Sequence, residues 1–106
     1  MNLWVIISEA AASAEEIGVH REAHLQRQVE LEKAGVLFAA GPLFNEEGNR
    51  AGAGMIVIRA EAARQIAELD PMHANGVRSF RTYQWMVHEG RINISLDISD
   101  GSGRVD

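Results

Sequence analysis

Cysteine is absent from the 106-residue chain. Disulfides, thiolate chemistry and Cys-ligated metal sites are therefore excluded. Positive charge is scarce: ten Lys and Arg stand against fifteen Asp and Glu, a formal net charge of −5. Phosphate backbones and anionic membranes are bound by clustered positive charge, so neither nucleic acid nor membrane is an expected partner. The opening "MNLWVIISEA" has no basic n-region, and its apolar run is far too short for a signal peptide or a membrane span. There is no repeat and no low-complexity segment. Together these absences predict a cytoplasmic protein.

What is present, 46% hydrophobic and 24% charged residues, reads as one small globular domain. A domain of this size buries a modest share of its surface, which favours self-association. "LWVIIS" (Leu3 to Ser8) predicts strand one. A helix is expected over Ser13–Ala34, with Ser13 and Glu16 spaced as a capping box and Gly35 as its stop. "VLFAAGPL" (Val36 to Leu43) predicts strand two, "NEEGNRAG" a hairpin loop and "GMIVIR" (Gly54 to Arg59) strand three. A shorter helix, Ala60–Leu69, is ended by Pro71, which biases Asp70 away from helical angles. Strand four follows over Ser79–His88. The α+β order β-α-β-β-α-β is that of a ferredoxin-like split βαβ domain with an antiparallel sheet, over residues 1–88. Residues 89–106 form a C-terminal extension, in which "RINISLDIS" offers a fifth strand and "DGSGRVD" a fraying tail. Two helices cover only one sheet face, yet strands one and three are apolar at nearly every position. A second copy of the chain, packed sheet against sheet, is the economical cover.

Polar residues interrupt the expected helix faces. At about 100° per residue, Ile17, His24 and Leu31 fall on one stripe, with Arg21 and Gln28 beside it near Leu25. In the second helix Ala63, Ile66 and Ala67 form the inward stripe and Asp70 continues it. His24 and Asp70 thus both point between helices and sheet, where each needs a partner. They can serve as a structural hydrogen bond or turn cap, or as an acid–base pair at a site. His20 and His24 are four apart, a metal-compatible spacing, but no third ligand accompanies them and no metal is expected. His73 is a loop residue or a ligand contact near the same pocket mouth. Gly41 and Pro42, in "AAGPL", mark an ordinary strand exit or expose backbone amides to a ligand. Trp4, Phe80 and Trp85 read as core or interface, and His88 as a surface group at a strand end.

"REAHL" (Arg21 to Leu25), "AGVLFAAGPL" (Ala34 to Leu43), "GAGMIVI" (Gly52 to Ile58) and "LDPMHANGV" (Leu69 to Val77) together resemble the YCII, or YciI-like, family of the dimeric α+β barrel superfamily. The resemblance spans roughly residues 1–88. It implies a ferredoxin-like protomer whose sheet packs on its twin's, and a cleft with a His–Asp pair, here His24 and Asp70. Members with an assigned activity resemble muconolactone isomerases in fold, and one type eliminates chloride from a chlorinated hydroxyquinol. This chain departs where Met72 and His73 follow Asp-Pro in place of the usual aromatic, and in its length beyond His88.

The leading expectation is a homodimeric isomerase- or lyase-like enzyme for a small cyclic or aromatic-derived metabolite. His24 would exchange a proton with substrate while Asp70 orients the imidazole. Arg21, or backbone near Gly41 and Pro42, would hold an anionic oxygen, with His73 at the mouth. No cofactor is implied. The alternatives are a non-catalytic ligand-binding or accessory homodimer and a haem-dependent oxygenase of the same superfamily.

Overall fold

A computed structural model describes residues 2–59 and 61–91, with the backbone of 94–97 and 102–105. Strand β1 (Asn2–Ala10) leads to helices α1 (Ala14–Val19) and α2 (Arg21–Lys33). Strands β2 (Leu37–Phe44) and β3 (Arg50–Ile58), helices α3 (Ala63–Glu68) and α4 (Pro71–Ala74) and strand β4 (Arg78–Met86) follow. The four strands form one antiparallel sheet in the order β2-β3-β1-β4. This is the expected ferredoxin-like α+β topology.

The first predicted helix is divided in two. Ser13 caps α1 as its spacing suggests, accepting a hydrogen bond from the Glu16 amide at 3.2 Å. The run then breaks at His20, whose amide bonds back three residues to Ile17 at 3.0 Å. Gly18 and β-branched Val19 are poor helix formers directly before the break. One projection from Ile17 to Leu31 therefore does not hold. His24 and Gln28 turn inward from α2, while Arg21 and Leu25 are exposed. The second helix stops before Asp70, which is extended at φ −62°, ψ 129°, and Pro71 starts a further turn. Proline suits a first helical position, where its missing N–H is no loss.

Strand β3 begins at Arg50, so part of "NEEGNRAG" is strand and the turn is tight. Asn45 Oδ1 closes it by accepting from the amides of Glu47 and Asn49 at 3.1 and 2.9 Å. The tail expected to fray contains strand β6 (Ser102–Val105), which pairs with β5 (Ile94–Asp97) as a separate two-stranded sheet. "RINISLDIS" thus adds no fifth strand to the main sheet; Asn93, Ile92 and Ile98–Ser99 of that run lie outside the described residues.

Paired residues on antiparallel strands share a face. Ile6, Ile56 and Ile58 lie under the helices and pack with Ala63 and Ala67, flanked by Trp4, Val36, Leu37, Ile66 and Phe80. The row Pro42–Gly54–Ser8–Phe80 crosses the same face near one end of the sheet. The opposite face carries Val5, Ile7, Val57, Met55, Tyr83 and Trp85 by the same register. No helix covers it. Tyr83 and Trp85 remain 50% and 44% exposed there.

Candidate functional site

Asp70 is the buried acid of the molecule's helix layer, 2% exposed. Its two oxygens divide their work. Oδ1 caps α4 by accepting from the Met72 amide at 2.9 Å. Oδ2 lies 2.7 Å from His24 Nδ1 and 3.4 Å from Gln28 Nε2, both of which donate to it. The turn-cap and pairing alternatives for Asp70 are therefore both realised, one on each oxygen. Burial alone would raise its pKa. The His24 hydrogen bond, the Met72 amide and the nearby His24 and His73 charges outweigh burial and hold the carboxyl below its usual range.

A carboxylate only accepts, so His24 Nδ1 carries the shared proton. Nε2 then faces outward from the pair, and no described residue engages it. The side chain retains 24% exposure, enough for contact with a ligand. Gln28 Oε1 is buried without a partner among the described residues.

Beyond the pair lies a node that sequence reasoning missed. His73 Nδ1 donates to the Ala67 carbonyl at 2.8 Å, which leaves Nε2 as an acceptor, 2.7 Å from Ser8 Oγ. The hydroxyl proton therefore goes to His73, and Ser8 Oγ accepts from Arg78 Nε at 2.8 Å. Arg78 Nη2 also donates to the carbonyls of Ser8 and Gly52, at 2.9 and 3.2 Å. Phe80 packs at 4.8 Å on the His73 ring. Burial lowers the His73 pKa, the His24 and Arg78 charges reinforce it, and the Ala67 hydrogen bond and Asp70 only partly oppose it. Burial likewise lowers that of Arg78, against the attraction of Asp70 and Glu9.

The remaining expected site residues are not gathered on the pair. Both His73 nitrogens are engaged within the protein. Arg21 is exposed in an open depression on the outer side of α1 and α2, with Gly18, Glu22, Leu25, Gln26 and Val29. Gly41 pairs with Met55 and so falls in the row of the uncovered face, whereas Pro42 shares the row of Ser8. One signal for the missed node was present. Ser8 continues the inward alternation Trp4–Ile6–Ser8, a polar residue where apolar ones precede it.

Among the described residues, no helix is long and apolar enough to cross a membrane, and no three His, Asp or Glu are grouped as metal ligands. The family model for the YCII-related domain matches residues 1–86. No curated protein matches in sequence. Among solved structures, the chain is similar to 5-chloro-2-hydroxyhydroquinone dehydrochlorinase, TftG, from Burkholderia phenoliruptrix, in complex with 2,5-dihydroxybenzoquinone. The TM-score is 0.55 at 19% identity, covering 83% of this chain and 95% of that one. It also matches a candidate antibiotic biosynthesis monooxygenase from Deinococcus radiodurans, with a TM-score of 0.49, 13% identity and 90% and 99% coverage. At 19% identity the likeness to the dehydrochlorinase speaks for the fold alone.

Proposed function

The chain belongs to the YCII-related family, and on that premise we propose that it is a small-molecule enzyme of isomerase or lyase type working by acid–base chemistry at His24. The observation that carries this reading is the 2.7 Å bond from His24 Nδ1 to the buried Asp70 carboxylate, with Nε2 left for a ligand. A histidine is the side chain best suited to take and return a proton near neutral pH. Asp70 holds the ring orientation and keeps the proton on Nδ1, so that Nε2 presents its lone pair.

In the reaction, Nε2 removes a proton from a substrate C–H or O–H. In a lyase the electron pair released expels a leaving group such as chloride, and the imidazolium returns its proton to water. In an isomerase the same proton returns at another carbon, and nothing leaves. The chlorinated hydroxyquinol named for the structural neighbour is the first substrate class to try, since its acidic hydroxyls can exchange a proton with the half-buried His24 imidazole. Homodimerisation through the uncovered sheet face belongs to the same reading. Its support is the exposed apolar side chains of Met55, Tyr83 and Trp85, one in each of three neighbouring cross-strand rows of that face.

The experiment is chloride release from 5-chloro-2-hydroxyhydroquinone and isomerisation of muconolactone by wild type and His24→Gln. Turnover lost in the variant supports the reading. Saturable binding without turnover by wild type would establish the non-catalytic alternative.

A further inference from the structure

Arg78 is a partly buried cation whose hydrogen-bond partners are all neutral: Ser8 Oγ, the Ser8 carbonyl and the Gly52 carbonyl. No carboxylate among the described residues pairs with it. Glu9 is engaged by Arg81 at 2.8 Å, and Asp70 by His24, Gln28 and Met72. Nε and Nη2 are used, and Nη1 has no described partner. Three hydrogen bonds fix the guanidinium plane, and the His73–Ser8 bond in turn fixes the serine acceptor. A guanidinium so held is preorganised to bind an oxyanion.

Beside Ser8 in the sheet stands a residue without a side chain. Gly54 sits in the row between Pro42 and Ser8, on the helix-covered face. A Cβ placed there would meet only the Gly41 carbonyl, at 3.5 Å. The conformation of Gly54 demands no glycine, since its φ is not among the positive ones. A Cβ at Gly54 would thus be accommodated, and glycine leaves that room free on the helix-covered face. The node borders His24–Asp70: His73 lies in α4, which Asp70 caps, and its ring is bonded to Ala67 just before Asp70.

We propose that Arg78 is the anion-binding residue of this cleft, taking an anionic substrate oxygen (an ionised enol or a carboxylate) over Gly54, with Ser8 and His73 as its positioning residues. The inference rests on the acid–base reading of His24 for calling the ligand a substrate. It narrows the substrate class to compounds that carry an acidic oxygen beside the bond that His24 works on.

The test is the binding of 2,5-dihydroxybenzoquinone, an acidic enol, against neutral 2,5-dimethoxybenzoquinone, by calorimetry. Wild type, Arg78→Gln, Arg78→Lys, Gly54→Val and His24→Gln are compared, each checked for melting temperature and oligomeric state. Wild type should prefer the acidic probe and lose affinity as salt rises. Arg78→Gln should bind it on the order of 10- to 100-fold more weakly, the range of one charge-assisted hydrogen bond, and lose the salt dependence. Arg78→Lys should fall between, and Gly54→Val should exclude both probes. Should Arg78→Gln not fold, Arg78→Lys and Gly54→Val decide. Wild-type affinity in the folded variants, a preference for the ether, or no saturable binding by wild type at millimolar probe overturns the proposal. Probe binding that needs Arg78, without chloride release or isomerisation by any form, upholds the anion site while ending the acid–base reading. Chemistry that needs His24 but ignores Arg78 does the reverse.

Discussion

Replacing Asp70 by Asn separates the two jobs of one carboxylate. Asn keeps an oxygen where Asp70 Oδ1 accepts from the Met72 amide, and Asn is as good a helix cap as Asp. What it loses is the charge facing His24 and Gln28 on Oδ2. A hydrogen bond to a charged group contributes about 1.5–3 kcal/mol. The lower half of that range applies, because the His24 side chain is 24% exposed and water screens part of the interaction. About 1.5–2 kcal/mol in a domain near 100 residues lowers the melting temperature by roughly 6–16 °C. Asp70→Ala should lose about a further 1 kcal/mol, because the Met72 amide is then uncapped. The acid side gives an independent check on sign. The folded carboxyl is held below its ordinary range, so its contribution is complete above the unfolded pKa and disappears as pH falls through the folded one. Scanning calorimetry should therefore show the gap between wild type and Asp70→Asn intact from neutral pH to about pH 4 and closing below it. The kinetic consequence is separate: the amide N–H opposes the Nδ1 proton and favours the other tautomer, and turnover should drop about 10²–10⁴-fold. A melting temperature unchanged across this range, or Asp70→Ala no less stable than Asp70→Asn, would refute the reasoning.

His24→Ala should remove proton-transfer catalysis worth about 10²–10⁴-fold and keep the fold, which steady-state rates together with circular dichroism will check. The lowered His73 pKa gives stability that is complete above the unfolded value of about 6.5 and lost as pH falls toward the folded value. His73→Gln should flatten that slope in melting temperature against pH between neutrality and about pH 5, and an unchanged slope would assign it to other groups. Trp85→Glu, on the uncovered sheet face and 44% exposed, should shift sedimentation from dimer to monomer; a wild type that is already a folded monomer at micromolar concentration removes the dimer from the reading.

The topology was legible because its signals are local and repeated. Apolar runs bounded by turn residues marked β1 to β4, and the order of elements left few arrangements. The His24–Asp70 encounter was legible too, since two polar residues on inward stripes of helices covering one sheet face must meet or remain unpaired. The break at His20 was not. A long amphipathic pattern averages over Gly18 and Val19, and only the three-residue bond of His20 to Ile17 marks the break between two helices. Arg21 and Leu25 turn to solvent for a different reason: within α2 they lie about 60° and 100° round from His24, on the side away from Arg27 and Leu31. The placement of Arg78 was hidden for another reason. Its anchors, Ser8 and Gly52, lie 70 and 26 residues away in sequence, and no periodicity reports a contact between strand ends.

The Met72–His73 pair that follows Asp-Pro has a physical role beside that node. Met72 takes the buried position, 6% exposed, next to the cap. His73 takes the position that faces β1 and β4, where an apolar residue could pack on Phe80 but could not accept the Ser8 proton. With His73 accepting, Ser8 Oγ directs its hydrogen one way and its lone pair toward Arg78 Nε. Were His73 protonated, Nε2 would become a donor and its charge would oppose Arg78, so the arrangement selects the neutral ring. The three acceptors around the guanidinium are neutral, and only the through-space attraction of Asp70 and Glu9 offsets its charge. Among the described residues no carboxylate hydrogen-bonds that guanidinium, which fits the proposed anion arriving with the ligand.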